Sequence, residues 1–461
     1  MTVDAIDCQG LGGGMTLGFV QAGMSLVRKV EQTGNFGYAQ CDANRHLLGK
    51  KWDNQEGVEN WEPLDVPIVF GNPPCSGFSM MSVRAGGPGN RGDYRGPQAA
   101  INSCMWELAA YAAKCNPEVI VMESVPTAGS DKGKAGGRPL MQALRAEVEA
   151  ITGRKYWLTH CFHNSLRLGG SSERRRYFMV LSIAPFSVGV PSINRMPLLR
   201  DVVGDLPHFA DPAISVPYAT DGSWWAKKRR NRDGLVNGCS TFFDLYETSH
   251  GHRLYDAIGS GDWQQGEHMG EVLSRFWDDN GAFPGPAWTP QAVDTILHRP
   301  LQKNQEWNEA AGDPALEAAY AERWGQDEFP PSAPVPFQGG AYMPKRWRED
   351  HHAHVMAGNA LWDVVHPTQD RVFTYREAAR IMGFPDDWDV TPYWDNRNGS
   401  IVFGKGVVVD SGRWIGQAAK AFVERENLED AGEEVGEREF IVSHQNLHRE
   451  LYAKTYSRRK R

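Results

Sequence analysis

The sequence predicts an α/β protein built on a largely parallel sheet. Three observations carry that prediction. Short runs rich in Val, Ile and Leu recur at Val3–Asp7, Met24–Val30, Val66–Phe70 and Pro117–Met122, each bounded by turn or charged residues. Runs of this length read as strands buried on both faces. A glycine-rich turn follows the first run, and helical segments (Met15–Ala22, Gln98–Ala113) fill the gaps that parallel strands need for their crossovers.

The elements follow in order. Val3–Asp7 leads into Gly10-Leu-Gly-Gly-Gly14 and then an apolar helix. Strand, glycine turn and helix amino terminus is how a Rossmann-like fold brings backbone close to a nucleotide cofactor, although glycine turns also follow strands with no such role. The second strand ends at Glu31, whose carboxylate can accept from both ribose hydroxyls; the plainer reading is a solvated strand end. Val66–Phe70 stops at Gly71, and Pro73 and Pro74 stiffen the loop that carries Cys75. Ligands bind at the carboxyl ends of strands in open α/β sheets, so a thiol there can serve as a nucleophile rather than as core filling. The strand from Pro117 ends in Glu123, at a neighbouring strand end. Ser172-Glu-Arg-Arg-Arg-Tyr-Phe178 then leads into a strand over Tyr177–Ile183.

These segments carry a resemblance that spans most of the chain outside its middle third. Gly71–Ser79 resembles the catalytic loop of the DNA cytosine-5 methyltransferases, usually Pro-Cys-Gln-Gly-Phe-Ser. Glu123-Ser-Val125 resembles the family's Glu-Asn-Val, and Ser172–Arg176 its Gln-x-Arg-x-Arg. The segment from Asp7 resembles Asp-Leu-Phe-Ala-Gly-Ile-Gly-Gly, with Gln9 replacing the aromatic residue. Thr374–Pro385 resembles the family's Thr-x-Arg-Glu-x-Ala-Arg-Leu-Gln-Gly-Phe-Pro helix, with Thr374 and Glu377 as a capping box, and Ile415-Gly-Gln-Ala418 resembles Ile-Gly-Asn-Ala. Gln9, Ser124 and Gln417 are departures, consistent with drift or with an altered donor.

The resemblance implies a Rossmann-like S-adenosylmethionine-dependent methyltransferase domain interrupted by an irregular, loop-rich target-recognition domain. Cys75 would attack carbon 6 of a flipped cytosine, Glu123 would assist at nitrogen 3, Arg176 would hold oxygen 2, and Arg174 would complete the catalytic set by supporting the loop. Asp7, Gly10, Gly12, Gly13, Glu31, Pro74 and Gln417 would hold S-adenosylmethionine, with no metal. The implied substrate is double-stranded DNA, touched by Ser79 and by Arg95, the latter in Asp93-Tyr-Arg-Gly96, which resembles the family's mobile segment after the catalytic cysteine (here Met80 to Arg95). RNA cytosine methylation on the same fold is one alternative. Another is a DNA-binding homologue with a degenerate or altered donor site. Asn72-Pro-Pro suggests an exocyclic amino-methyltransferase, which would need no thiol.

From about Ala184 to Leu361 the strand–helix rhythm disappears amid Pro, Gly, Trp and charged residues. The basic clusters there supply Lys227, Arg230, Lys345 and Arg348 as candidate DNA contacts, against the plain reading of a solvated surface. The expected organisation is a discontinuous catalytic domain (1–185 and 362–424), a recognition domain (186–361) and a carboxyl-terminal helix with a basic tail (425–461). The 461 residues carry a net charge of −8 and seven cysteines without a Cys-x-x-Cys pair, which argues for free thiols and against zinc. No apolar run reaches the roughly 18 residues of a membrane span. A cytoplasmic monomer, in a bacterial cell or a phage-infected host, is the expected setting.

Overall fold

The computed structural model describes residues 2–32, 37–49, 51–74, 102–130, 137–206, 264–267, 345–356, 364–368, 373, 375–390, 399–426 and 433–448. Its first half alternates strand and helix as the apolar runs require: β1 (Val3–Cys8), α1 (Gly14–Gln21), β2 (Met24–Glu31), α2 (Gly37–Ala43), α3 (Arg45–Leu48), β3 (Asp53–Glu56), β4 (Ile68–Gly71), α4 (Ser103–Lys114), β5 (Val119–Ser124), α5 (Gly137–Thr152), β6 (Trp157–Asn164) and β7 (Arg175–Ser182). There follow α6 (Leu199–Val203), the paired short strands β8 (Lys345–Arg346) and β9 (Val364–Val365), α7 (Tyr375–Ile381), α8 (Gly399–Lys405), α9 (Val409–Val423), β10 (Glu433–Gly436) and β11 (Glu439–His444).

Nine strands form one sheet in the order β10-β11-β6-β7-β5-β4-β1-β2-β3. β3, β2, β1, β4 and β5 are parallel, and β7 inserts antiparallel between β5 and β6. The chain leaves β1 toward one edge and returns through β4 on its other side, so the topological switch lies between β1 and β4. Ligands bind outside the carboxyl ends of strands at such a point. This is a Rossmann-like α/β sheet, as the strand runs predicted.

Strand alternation sorts the core into two layers. Val121, Phe70, Phe178 and Val180 face the layer that holds α1 and α9, while Ile6, Val69, Ile120, Tyr177 and Met179 face α4 and α5. Phe19 of α1 stacks on Phe70, ring centroids 3.8 Å apart, which fixes the helix over the sheet centre. Described parts of the segment expected to form a separate domain enter the first layer: Leu199 and Val203 of α6, with Trp347, Ala353 and Met356, pack in the same cluster as α7 and α9.

The carboxyl-terminal segment corrects an expectation. Residues 433–444 are two strands rather than a helix, and the sheet extends past residue 424. β11 runs parallel to β6 from Glu439 beside Leu158 to His444 beside His163. Its anchor is Glu439, whose Oε1 lies 2.9 Å from His160 Nε2 and whose Oε2 accepts from Gln142 Nε2 at 2.9 Å. His160 Nδ1 lies 2.7 Å from the Tyr177 hydroxyl, so β11, β6 and β7 are joined through side chains as well as backbone. Hydrogen bonds from His160 and Gln142 hold the Glu439 carboxyl at a pKa of about 2. The Glu439→Ala variant is expected to lose about 1–3 kcal/mol locally, the cost of stranding His160 and Gln142. Faster amide hydrogen exchange confined to β11 and the end of β6 would register it.

Candidate functional site

The switch point is built around a buried cation. Lys29, near the end of β2, has no solvent exposure and points inward beneath the glycine turn. Its Nζ lies 2.7 Å from Asp7 Oδ2 on β1 and 2.8 Å from Glu31 Oε1 on its own strand. Thr16 Oγ1, in the first turn of α1, donates to the same Asp7 oxygen at 2.5 Å. Burial opposes the charge on Lys29, but Asp7 and Glu31 outweigh it and hold its pKa well above the usual lysine value. The cluster therefore ties the end of β1, the end of β2 and the start of α1 together.

The turn over this cluster needs its glycines. A Cβ on Gly10 would stand 2.0 Å from Asp7 Oδ1. Gly13 caps α1 in the left-handed region at φ 80°, and a Cβ there would meet the Trp388 ring at 2.7 Å. Gln9 is held at φ 61° and buried; its amide donates to the Cys104 carbonyl at 3.4 Å. The side chain standing at the family's aromatic position is thus turned toward α4. Gln32 also reaches α4, donating to Glu107 Oε2 at 2.7 Å.

The second half of the site lies at the ends of β4, β5 and β7. Glu123 is 1% exposed, and the pairing of Glu123 with Phe178 and Ser124 with Tyr177 brings Arg176 beside it. Arg176 Nε stands 3.0 Å from Glu123 Oε1. On the other side Asn72, the first residue beyond β4, donates through Nδ2 to Glu123 Oε2. Burial raises the Glu123 pKa to about 7, against the pull of Arg176, Arg174 and the Asn72 hydrogen bond. A carboxyl poised near neutrality can give or take a proton at the working pH.

The structure thus brings Glu123 and Arg176 together, as expected. It places others differently. Arg174 is buried and donates to three backbone carbonyls, of Met356 (2.9 Å), Gly404 (2.7 Å) and Gly406 (2.8 Å). Its described hydrogen bonds serve to clamp three segments distant in sequence, at the margin of the chemistry. Gln417 is exposed on α9. α9 runs parallel to α1, with Gly412 against Met15 and Gly416 against Phe19 and Ala22, so Gln417 lies beyond the turn's end of that helix pair. Arg348 is exposed and binds Asp350 through two contacts, 3.0 and 3.1 Å. Pro74 is exposed at the edge of the site. Cys75, Ser79, Arg95, Lys227, Arg230 and Thr374 lie outside the described residues, as does the side chain of Lys345.

Sequence reasoning missed Lys29 and gave Asn72 a different meaning. Lys29 in Arg28-Lys-Val-Glu31 resembles an ordinary solvated strand end, yet its position on the inward row of β2 with Glu31 was a signal. Asn72 was legible only as part of Asn-Pro-Pro.

The site thus combines a glycine-turn cradle over parallel strand ends with an acid–guanidinium pair at β5 and β7. Residues 291–421 match the model of the C-5 cytosine-specific DNA methylases. The DNA (cytosine-5)-methyltransferase CMT2 of Arabidopsis thaliana is 22% identical over 364 residues, 70% of this chain and 25% of that protein. The Type II methyltransferase M.XorII of Xanthomonas oryzae pv. oryzae is 26% identical over 221 residues, 46% of this chain and 47% of that protein. This chain therefore spans a quarter of one curated relative's length and about half of the other's. Among solved structures, one described as a DNA modification methyltransferase encoded within an E. coli prophage covers 92% of this chain and all of its own, with 14% identity and a TM-score of 0.49. The chain is thus similar, over residues 291–421, to the C-5 cytosine-specific DNA methylases, and over longer stretches to two methyltransferases.

Two expectations test this geometry. Lys29→Met strands two buried carboxylates and should cost about 3–5 kcal/mol in urea unfolding at neutral pH, with Lys29→Met/Glu31→Gln recovering part of it. Glu123 has a folded pKa of about 7 against an ordinary 4.5, so its contribution to stability is full below pH 4.5 and is lost as pH rises through 7. The wild-type protein should show that downward step in unfolding free energy and Glu123→Gln should not.

Proposed function

We propose that the chain methylates carbon 5 of cytosine in double-stranded DNA, with S-adenosylmethionine as donor. The observation that carries this is the Glu123–Arg176 pair at the strand ends, in which Glu123 also accepts from Asn72, the first residue of the Asn72-Pro-Pro-Cys75 segment. The match of residues 291–421 to the C-5 cytosine-specific DNA methylase model supports the same chemistry.

Carbon 5 of cytosine is a poor nucleophile in an aromatic ring. Attack of the Cys75 thiolate on carbon 6 forms a C–S bond and makes carbon 5 an enamine carbon. Negative charge gathers on the ring during attack. Glu123, protonated near neutrality because it is buried, donates at nitrogen 3, and Arg176 hydrogen-bonds oxygen 2. After methylation the proton on carbon 5 leaves to a base, the C–S bond breaks and the thiolate is regenerated. The target base must leave the duplex stack to reach Cys75. Four of the described thiols are poor competitors: burial raises Cys8 well above the ordinary value and Cys41 to about 12, and it raises Cys104 and Cys115. Only a thiolate is nucleophilic, so these are structural groups.

The donor's residues fit in part. Gly10, Gly12 and Gly13 give a turn that backbone-close ligands need, and Asp7 Oδ1 and Gln9 Oε1 are buried there without a hydrogen-bond partner. Glu31 stands at the end of β2, where ribose hydroxyls are held. The bound donor would supply an electrophilic methyl on a sulfonium. Asp7 and Glu31, with Lys29 between them, leave one net negative charge facing that cation.

DNA contacts are assigned to Ser79, Arg95, Lys227, Arg230 and Lys345. Arg348, already engaged by Asp350, is the weakest of that set. Mass spectrometry of nucleosides from duplex DNA incubated with S-adenosylmethionine tests the proposal. 5-Methyldeoxycytidine is expected with the wild-type protein and not with Cys75→Ala. An N4- or N6-methylated base formed by both proteins would overturn it, and product only on tRNA would move the substrate to RNA.

A further inference from the structure

We infer that Asn72 is a positioning residue for Glu123, a buried amide that fixes the carboxyl so that one oxygen always faces the target base. The inference rests on the assignment of Glu123 as the acid of the reaction. Asn72 is 4% exposed and directly follows β4, whose last residue, Gly71, pairs with Met122 of β5. That register sets the amide beside Glu123, where Nδ2 donates to Oε2. Arg176 approaches the other oxygen, Oε1, from β7. Donors on two flanking strands thus hold the carboxyl on both sides.

The two donors differ in what they can do next. The Arg176 side chain is partly open, 14% exposed, and its assigned partner in the complex is oxygen 2 of the base. When the base enters, Arg176 can turn to it and release Oε1 toward nitrogen 3. Asn72 is sealed in and keeps Oε2, so the carboxyl cannot rotate away as its partner changes. Orientation of this kind matters because a catalytic group must sit within about 0.5 Å and 10–20° of its working geometry. Asn72 also begins the loop: only Pro73 and Pro74 separate it from Cys75, and proline fixes φ.

The groups facing Glu123 are Arg176 and Arg174 from β7 and its approach, and Asn72 from β4. A hydrogen bond from Asn72 to the ionised carboxylate favours that form, so its loss must raise the Glu123 pKa. Single-turnover methylation of duplex DNA, followed from pH 6 to pH 9.5, separates positioning from packing. Asn72→Ala should slow the step about 10- to 100-fold, leave DNA binding unchanged, and move the alkaline limb up by about half to one pH unit. In the double variant Asn72→Ala/Glu123→Gln the rate should equal that of Glu123→Gln alone. A wild-type rate and limb in Asn72→Ala would overturn the inference, as would a full additional loss in the double variant, which would mean that Asn72 acts on the loop alone. Should Asn72→Ala fail to fold, Asn72→Asp keeps the shape while replacing the donor by an acceptor, and its limb must move further up; an unmoved limb overturns the inference. A Glu123→Gln protein with wild-type rate and limb would instead sink the acid assignment itself.

Discussion

A lysine without solvent exposure is tolerable only when its charge is met at close range, and the architecture of the cofactor edge follows from meeting it. An unpaired buried ammonium would be costly, so Asp7 and Glu31 must both be in place beside it. Their positions then dictate the rest. Asp7 occupies the space under Gly10, which forces a turn free of side chains. Thr16 reaches Asp7 from α1 and fixes where that helix begins. Glu31 is braced from outside, where Trp61 Nε1 donates to its backbone carbonyl at 3.1 Å. Three elements that a nucleotide ligand would touch are thus set by one charge.

The same physics produces the opposite outcome two strands along the sheet, at β5. Glu123 is as buried as Asp7 but has its guanidinium partner on one oxygen and a neutral amide on the other. Compensation is incomplete, and its pKa settles near neutrality. One buried carboxyl is tied to a cation in the scaffold, the other left switchable. The contrast separates scaffold from chemistry more sharply than burial alone, since both are almost wholly inside. His163 adds to it: stacked on Phe178 at 4.8 Å and fully buried, it is pushed by burial to a pKa of about 3 and adds no charge beside Arg176.

What could be read from the sequence was whatever local pattern controls. β-Branched runs marked β1, β2, β4 and β5, and Glu123 at the carboxyl end of β5 meets Arg176 at the amino end of β7 because those strands pair antiparallel. Long-range facts were hidden. Nothing near Arg174 announces that its partners are carbonyls at 356, 404 and 406. Gln417 sits in a family-like motif, but which helix face it occupies is decided by the packing of α9 on α1. The acidic run that ends in Gly436 resembles a frayed tail because β10 is a solvated edge strand, exposed at every residue. Its partner β11 buries Glu439, a residue type that normally argues against burial; only His160 and Gln142, far away in the chain, make that possible.

The packing of α1 against α9 sets an order of events during synthesis. Met15, Leu17 and Phe19 are translated roughly 400 residues before the surface that covers them, on Trp414, Ile415 and Ala418. At the usual elongation rate of about 5–20 residues per second, that apolar face waits for tens of seconds. β6 waits likewise for β11. The nascent sheet therefore stays incomplete until β11 has been made. A truncation anywhere before His444 would leave that incompleteness permanent.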